Sequence, residues 1–271
     1  MTSEAAFMRQ RALSFGSNAG LYDRARPGYP AALFAHIAGR LAGPKVLEVG
    51  AGTGKATAGL VSASLDVTCI EPDPEMAAVL ARRTAGEPRV RVEVAAFESV
   101  TVTEAYDGLV SAQAWHWTDP LTRMDRAAAL LRPGGFLGLF WSGGVIRQQH
   151  AWAAIQGIYD EFGLHGPNRP AEPIASTAAL AEIQDPATWP ADEIAAHPAF
   201  EYRGTNLFPW QRDYTAAEFG EFLGSTSWLR VLDPTVRRRL LGAITGMLED
   251  RFAGVIGLDW STQCYNARRL G

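Results

Sequence analysis

The sequence predicts an α/β fold, a parallel sheet covered by helices, and three observations predict it. Short β-branched runs alternate with helical stretches between about residues 44 and 141. The first of these runs leads straight into a glycine-rich bend and then a helix, within "VLEVGAGTGKAT". Finally, 271 residues with 47% apolar and 20% charged side chains can bury a large core without a disulfide or metal staple.

Taken in order, "KVLEVG" reads as a buried strand and "KATAGLVSAS" as a helix. "DVTCIE" is the next strand, followed by the helix "PEMAAVLARRTA". Pro74 can start that helix because its missing N–H costs nothing there. "RVRVEVAA" and "YDGLVSA" are strands, "PLTRMDRAAALL" is helical, and "RPGG" turns the chain into the strand "FLGLFW". Beyond residue 142, "VIRQQHAWAAIQGIYDEF" looks helical, while residues 163–198 are broken by "HGPNRPAEP" and "DPATWP". "FEYRGTNLFPW" reads as a strand and "TAAEFGEFLGSTSW" as a helix. In "PTVRRRLLGAITGMLEDRF", Val236, Leu240, Leu241, Ile244, Met247 and Leu248 recur at helical spacing and form a core face. The final "GVIGLDWSTQCYNARR" is strand-like and is expected to pair at the sheet edge.

Composition narrows the function. A net charge of −4 with no long basic block argues against nucleic acid, and Arg237-Arg238-Arg239 reads as the solvated side of a helix. No apolar leader or membrane-spanning run is present, and two cysteines, Cys69 and Cys264, suit a reducing compartment; the expectation is a cytoplasmic protein. Cys69 lies in an apolar strand and reads as an inert buried thiol. The histidines, His36, His116, His150, His165 and His197, lack metal-ligand spacing.

Gly50, Gly52 and Gly54 follow the first strand, letting backbone turn tightly and approach a ligand. A Walker loop fails twice, with Val49 in place of its first glycine and Ala56 in place of its hydroxyl. A dinucleotide fingerprint fails once, at Lys55. What remains is acidic-x-Gly-x-Gly-x-Gly with Glu48 as the acid. Glu71 ends the next strand, 21 residues beyond Gly50, where a carboxylate can accept both ribose hydroxyls.

These motifs, with "AAFES" and "LRPGG", resemble the class I S-adenosylmethionine-dependent methyltransferases over about residues 44 to 141. The resemblance implies a Rossmann-like three-layer sandwich with a mostly parallel seven-stranded sheet, an N-terminal cap and an insertion after the fifth strand. It divides the chain into a helical cap at 1–43, a cofactor-binding core at 44–142, and a helical lid with the sheet-completing strands at 143–271. In the cofactor site it implies Glu48, Gly50, Ala51, Gly52 and Gly54, with Glu71 on the ribose and Pro72, Asp73 or Pro74 beside the adenosine. Phe97 and Glu98 would lie at the adenine, although Ala96 stands where that family often has an acid. Ser111 and Gln113 would pass near the cofactor.

"SAQAWHW" then falls where ligands gather, beyond the carboxyl end of the fourth strand. Trp115 reads as core, His116 as a base or a wall residue, and Trp117 as a substrate contact. The Gln-x-x-His-Trp pattern is similar to small-molecule methyltransferases of the trans-aconitate and biotin-pathway kind, which esterify carboxylates. Tyr22 and Arg26 are candidates for the methionine carboxylate, with an acidic substrate as the alternative for Arg26. Tyr29 and Trp141 are candidate substrate contacts; core packing competes for Trp141, as it does for Trp210, Trp228 and Tyr265 among the possible lid aromatics. The expected reaction is methyl transfer to an oxygen of a small-molecule acceptor, carboxylate or hydroxyl. Nitrogen methylation, cofactor binding without transfer, a cofactor-free scaffold and an NAD-dependent enzyme stay open.

Overall fold

Seven strands form one sheet, with residues 19–101, 105–164, 188–230 and 232–271 described by a computed structural model. The stretch before Ala19, the segment "HGPNRPAEP" with His165, the first half of "DPATWP" and the Trp228 side chain lie outside the described residues. The strands are β1 (Lys45–Val49), β2 (Asp66–Glu71), β3 (Val90–Val94), β4 (Tyr106–Ala112), β5 (Leu131–Ile146), β6 (Phe200–Thr215) and β7 (Val255–Arg269). Their order is β3-β2-β1-β4-β5-β7-β6, parallel from β3 to β5 and antiparallel on both sides of β7. This is the expected Rossmann-like sandwich.

The helices that position the site are α1 (Ala19–Ala25), α2 (Ala31–Ala38), α3 (Lys55–Ser62), α4 (Pro74–Arg83) and α5 (Arg123–Leu130). After β5 come α6 (Gln149–Glu161), α7 (Ala191–Ala196), α8 (Ala216–Gly224), α9 (Ser227–Arg230) and α10 (Pro234–Arg251). Local chemistry sets several starts. Asp73 accepts from the Glu75 and Met76 amides, with Pro74 at the first position of α4. Thr215 and Glu218 cap α8 reciprocally, and Asp233 with Pro234 opens α10.

Three clusters hold the layers together. Leu33, Phe34, Ile37, Val46, Ala56, Leu60 and Phe140 bury α2 and α3 against one face of the sheet. Leu47, Leu109, Trp115, Ala127, Leu130 and Ile194 bury α5 and α7 against the other. A third cluster, with Ile155, Tyr214, Phe219, Phe222, Leu240, Ile244, Leu248 and Trp260, joins α6, α8 and α10 to the far ends of β5, β6 and β7. The predicted face of α10 is the one that packs: Leu240, Ile244 and Leu248 are fully buried, while Arg238 and Arg239 are exposed.

Two readings of the sequence are corrected. Val145 and Ile146 belong to β5, and the following helix begins at Gln149, because both residues pair with β7 opposite Asp259 and Leu258. The C-terminal strand is also not the edge. β7 lies between β5 and β6, and its residues are buried on both faces through Thr262–Ala267, as an interior strand requires. β5 pairs with β4 only as far as Phe140 opposite Ala112, so Trp141 to Ile146, with their β7 and β6 partners, form a wall beyond the carboxyl edge.

Candidate active site

The bend after β1 is held by the neighbouring strand. The Gly50 and Ala51 amides both donate to the Ile70 carbonyl, at 2.8 and 3.1 Å. Gly50, Gly52 and Gly54 have φ of 70°, 59° and 86°, a region that costs any L side chain. A Cβ on Gly50 would lie 2.3 Å from the Ala114 Cβ, whereas one on Gly52 would meet nothing nearer than Met76 Cε at 3.6 Å. Gly50 is therefore forced by packing against the turn after β4. Gly52, at the centre of the bend, has room for a Cβ in ordinary contact with Met76.

Glu71 stands against that centre from the end of β2. Its Oε2 accepts from the Gly52 amide at 2.7 Å, and its Oε1 accepts from the Asp73 amide at 2.9 Å. Two backbone donors leave part of the lone-pair capacity of an ionised carboxylate open. Burial pushes the Glu71 carboxyl up to about 7. Glu48 is fully buried beneath the bend, where its Oε2 accepts from Thr57 Oγ1 at 2.6 Å and fixes the start of α3. Its Oε1 has no partner among the described residues, and burial holds this carboxyl at about 7 as well.

Both shifts have the same sign. A carboxyl raised from 4.5 to about 7 by folding stabilises the fold below pH 4.5, and that stability is lost as pH rises through 7. The melting temperature of the ligand-free protein is therefore expected to fall between pH 5 and 8. Glu48→Gln should flatten that slope in a calorimetric pH series; an equal slope in both proteins contradicts the assignment.

The rest of the site lies around the end of β4. Ser111 is fully buried, with its hydroxyl donating to the Val49 carbonyl at 3.0 Å, so it ties β4 to the strand that feeds the bend. Gln113 has φ 58°; its amide donates to Phe140 O at 2.9 Å and its Nε2 to Ser142 O at 3.4 Å. Trp115 is fully buried and packs on Phe97 with ring centroids 5.6 Å apart, the core role expected of it. His116 and Trp117 remain half-buried on the same short turn, their rings 4.5 Å apart. Phe97 is itself buried, and exposed Glu98 accepts from the Asp119 amide at 2.7 Å. Pro72 is exposed beside Glu71.

The N-terminal segment closes the other side. α1 packs on both α4 and α8, and Asp23 pairs with Arg83 and, at 3.8 Å, with Lys55 beside the glycine bend. Arg26 lies over the rings of Tyr22 and Phe222, at 5.4 and 5.6 Å. Tyr29 meets Phe140 edge-on at 5.1 Å, and burial pushes its phenol up. Trp141 points away from this group, against Trp189 at 5.1 Å and Tyr265 at 5.8 Å. Among the described residues no group of His, Cys, Asp and Glu could hold a metal ion, and no helix is long and apolar enough to cross a membrane.

Residues 46–135 match the methyltransferase domain family. An uncharacterized methyltransferase of Mycobacterium tuberculosis is 42% identical over 135 residues, which are 49% of this chain and 54% of that protein. A methyltransferase-like protein of Schizosaccharomyces pombe is 28% identical over 134 residues, 48% of this chain and 51% of the relative. The chain spans about half the length of these curated relatives. A solved structure described as a type II methyltransferase from Anaeromyxobacter dehalogenans superposes with TM-score 0.63 at 22% identity, covering 90% of this chain and 98% of that one. A methyltransferase structure from Bacillus halodurans gives TM-score 0.50 at 15% identity, covering 90% and 100%. These two show the shared fold.

Within residues 46–135 the bend lies above the buried Glu48 and against Glu71. Sequence reasoning missed the supports. Arg123, buried on α5, donates to both carboxylate oxygens of Glu193 at 2.7 and 2.9 Å and to Trp115 O at 3.3 Å. Trp189 Nε1 donates to the same carboxylate at 2.9 Å, so this pair braces the aromatic turn from below. Nothing local connects residues 70 positions apart. Asp23 was missed as well, although an acid on the cap was a readable complement to Lys55.

Proposed function

We propose that this protein is an S-adenosylmethionine-dependent methyltransferase acting on an oxygen of a small-molecule acceptor. The observation that carries the reading is the left-handed glycine bend facing the buried Glu71 carboxylate, where the sheet divides between β2 and β4. The residues fit the cofactor. Gly52 leaves room at the centre of the bend, and Glu71 offers the remaining lone pairs of a carboxylate to two vicinal hydroxyls. Pro72 and the Phe97 backbone border the adenosine end, with Glu98 beside them; Ala51, Gly54 and Gln113 frame the methionine end under Tyr22 and Arg26.

When bound, S-adenosylmethionine supplies a methyl group on a positively charged sulfur. This chain's part is placement, since an in-line displacement depends on holding the acceptor oxygen in line and excluding water. The half-buried His116–Trp117 turn, with Tyr29 across the crevice, forms the acceptor wall in this reading. A hydroxyl acceptor gives its proton to His116; a carboxylate needs no base. An acceptor of the trans-aconitate or biotin-pathway kind belongs to the carboxylate branch. The two buried free thiols, Cys69 and Cys264, suit a reducing, cytoplasmic setting.

The test is transfer of labelled methyl from the cofactor to candidate acids and alcohols, with wild type and His116→Ala. An ether product is expected to form about 100-fold more slowly in the variant, and an ester product to change mainly in KM. Full activity of the variant on a hydroxyl acceptor removes the base. Cofactor binding without any transfer leaves the binding-only reading standing.

A further inference from the structure

On one face of the sheet, Ser142 of β5, Thr262 of β7 and Trp210 of β6 form a polar row. Ser142 and Thr262 are cross-strand partners with their hydroxyl oxygens 2.8 Å apart, and Trp210 Nε1 donates to Thr262 Oγ1 at 3.1 Å. Apolar packing lies on both sides of the row. Phe140 and Cys264 pack with α2 and α3 on one side, and Ile146 and Trp260 pack with α6, α8 and α10 on the other. The row therefore marks the seam between the cover of the glycine-bend half and the helices of the C-terminal half.

The hydrogen bonds along the row have a fixed direction. Thr262 is fully buried, and the indole N–H of Trp210 can only donate. The Thr262 proton has one acceptor among the described residues, the Ser142 oxygen. Leaving that buried proton unpaired would forfeit its bond to water. Thr262 accordingly donates to Ser142, which turns the Ser142 proton out of the row. Ser142 is half-buried, and its own proton meets no acceptor among the described residues.

Position says what that proton faces. The β5–β7 ladder runs without a break from Phe136 to Ile146, so Ser142 shares its face with Phe140, two residues earlier. Tyr29 of the cap packs on that Phe140 ring. Gln113, the first residue after β4, donates its side-chain amide to the Ser142 carbonyl at 3.4 Å. Its neighbour Ala114 is the residue that a Cβ on Gly50 would strike. Ser142 thus stands beside Tyr29 and two strands from the bend, about 10 Å across at roughly 4.8 Å per strand.

We infer that Ser142 holds the carboxylate of the acceptor, with Thr262 and Trp210 as positioning residues that aim its proton. The assignment to an acceptor rests on the methyltransferase reading above. A donor on the attacking oxygen would draw off the electrons that form the new bond, so the oxygen held by Ser142 is the one beside it. A carboxylate has such a pair, and its charge strengthens the bond from the hydroxyl. One oxygen accepts from Ser142. The other forms the O–CH3 bond as the methyl–sulfur bond breaks, with that electron pair passing to sulfur and no proton moving. The acceptor is accordingly an acid and the product an ester, and His116 is not needed as a base.

Ser142→Ala removes one hydroxyl and leaves the carbonyl that Gln113 holds. Hexanoate and hexan-1-ol are titrated by calorimetry into free protein and into protein saturated with S-adenosylhomocysteine, for wild type, Ser142→Ala, Thr262→Val and Thr262→Ser. The expected result is hexanoate binding that weakens about tenfold in Ser142→Ala and about threefold in Thr262→Val. Thr262→Ser, which restores the aiming hydroxyl, returns it to the wild-type value. Affinities for hexan-1-ol and S-adenosylhomocysteine stay at the wild-type value throughout. An equal loss for S-adenosylhomocysteine in Ser142→Ala overturns the assignment, since the hydroxyl then serves the cofactor. An equal loss for hexan-1-ol, an unchanged hexanoate affinity in Ser142→Ala, or no hexanoate binding to wild type overturns it too. Thr262→Val equal to wild type, or Thr262→Ser equal to Thr262→Val, overturns the positioning role. Failure of wild type to bind S-adenosylhomocysteine sinks the proposed function instead, while the titration into free protein still reads Ser142.

Discussion

Glu71→Ala is expected to weaken S-adenosylhomocysteine binding by about 100-fold or more. Two hydrogen bonds to an ionised group, each worth about 1.5–3 kcal/mol, set that scale. The fold should survive, because burial already penalises the charge of this carboxyl and pushes it up to about 7. Below that pH the protonated carboxyl becomes a poorer acceptor, so wild-type affinity should rise as pH passes 7. Isothermal titration across pH 6 to 8, with circular dichroism melts of both proteins, reads both effects. An affinity in Glu71→Ala equal to wild type removes the ribose role.

Gly50→Ala is expected to destabilise the protein by about 2–4 kcal/mol, combining the left-handed penalty with overpacking. Its φ is 70°, and the added Cβ would stand 2.3 Å from the Ala114 Cβ, so the turn bearing His116 must shift. Gly52→Ala carries a similar φ of 59° but no such collision, with Met76 Cε at 3.6 Å. It should cost about 1 kcal/mol in stability and act mainly on cofactor affinity. Urea unfolding midpoints separate the two. Equal, small losses in both variants contradict the packing argument at Gly50.

The parts of this molecule that were legible in its sequence are those encoded by short-range geometry. The alternation of buried strands and helices marks β1 to β5, and the bend announces itself because only glycine tolerates three positive φ values in five residues. Glu71 was found by its distance from Gly50, which a strand-helix-strand unit fixes. Trp115 and Trp117, two residues apart, were separable because one completes the apolar face and the other leaves it. Long-range choices were not legible. The place of β7 depends on which strand buries both its faces, and the end of β5 depends on pairing with β7 rather than on propensity. The Arg123–Glu193 brace depends on packing between distant segments, for which one sequence carries no period or spacing.

The most direct test of the central claim is a crystal structure of the protein with S-adenosylhomocysteine. The account predicts both ribose hydroxyls within hydrogen-bonding distance of the Glu71 carboxylate, and the homocysteine chain running over Gly52. A ligand seated elsewhere, with Glu71 still closed on the Gly52 and Asp73 amides, would contradict it.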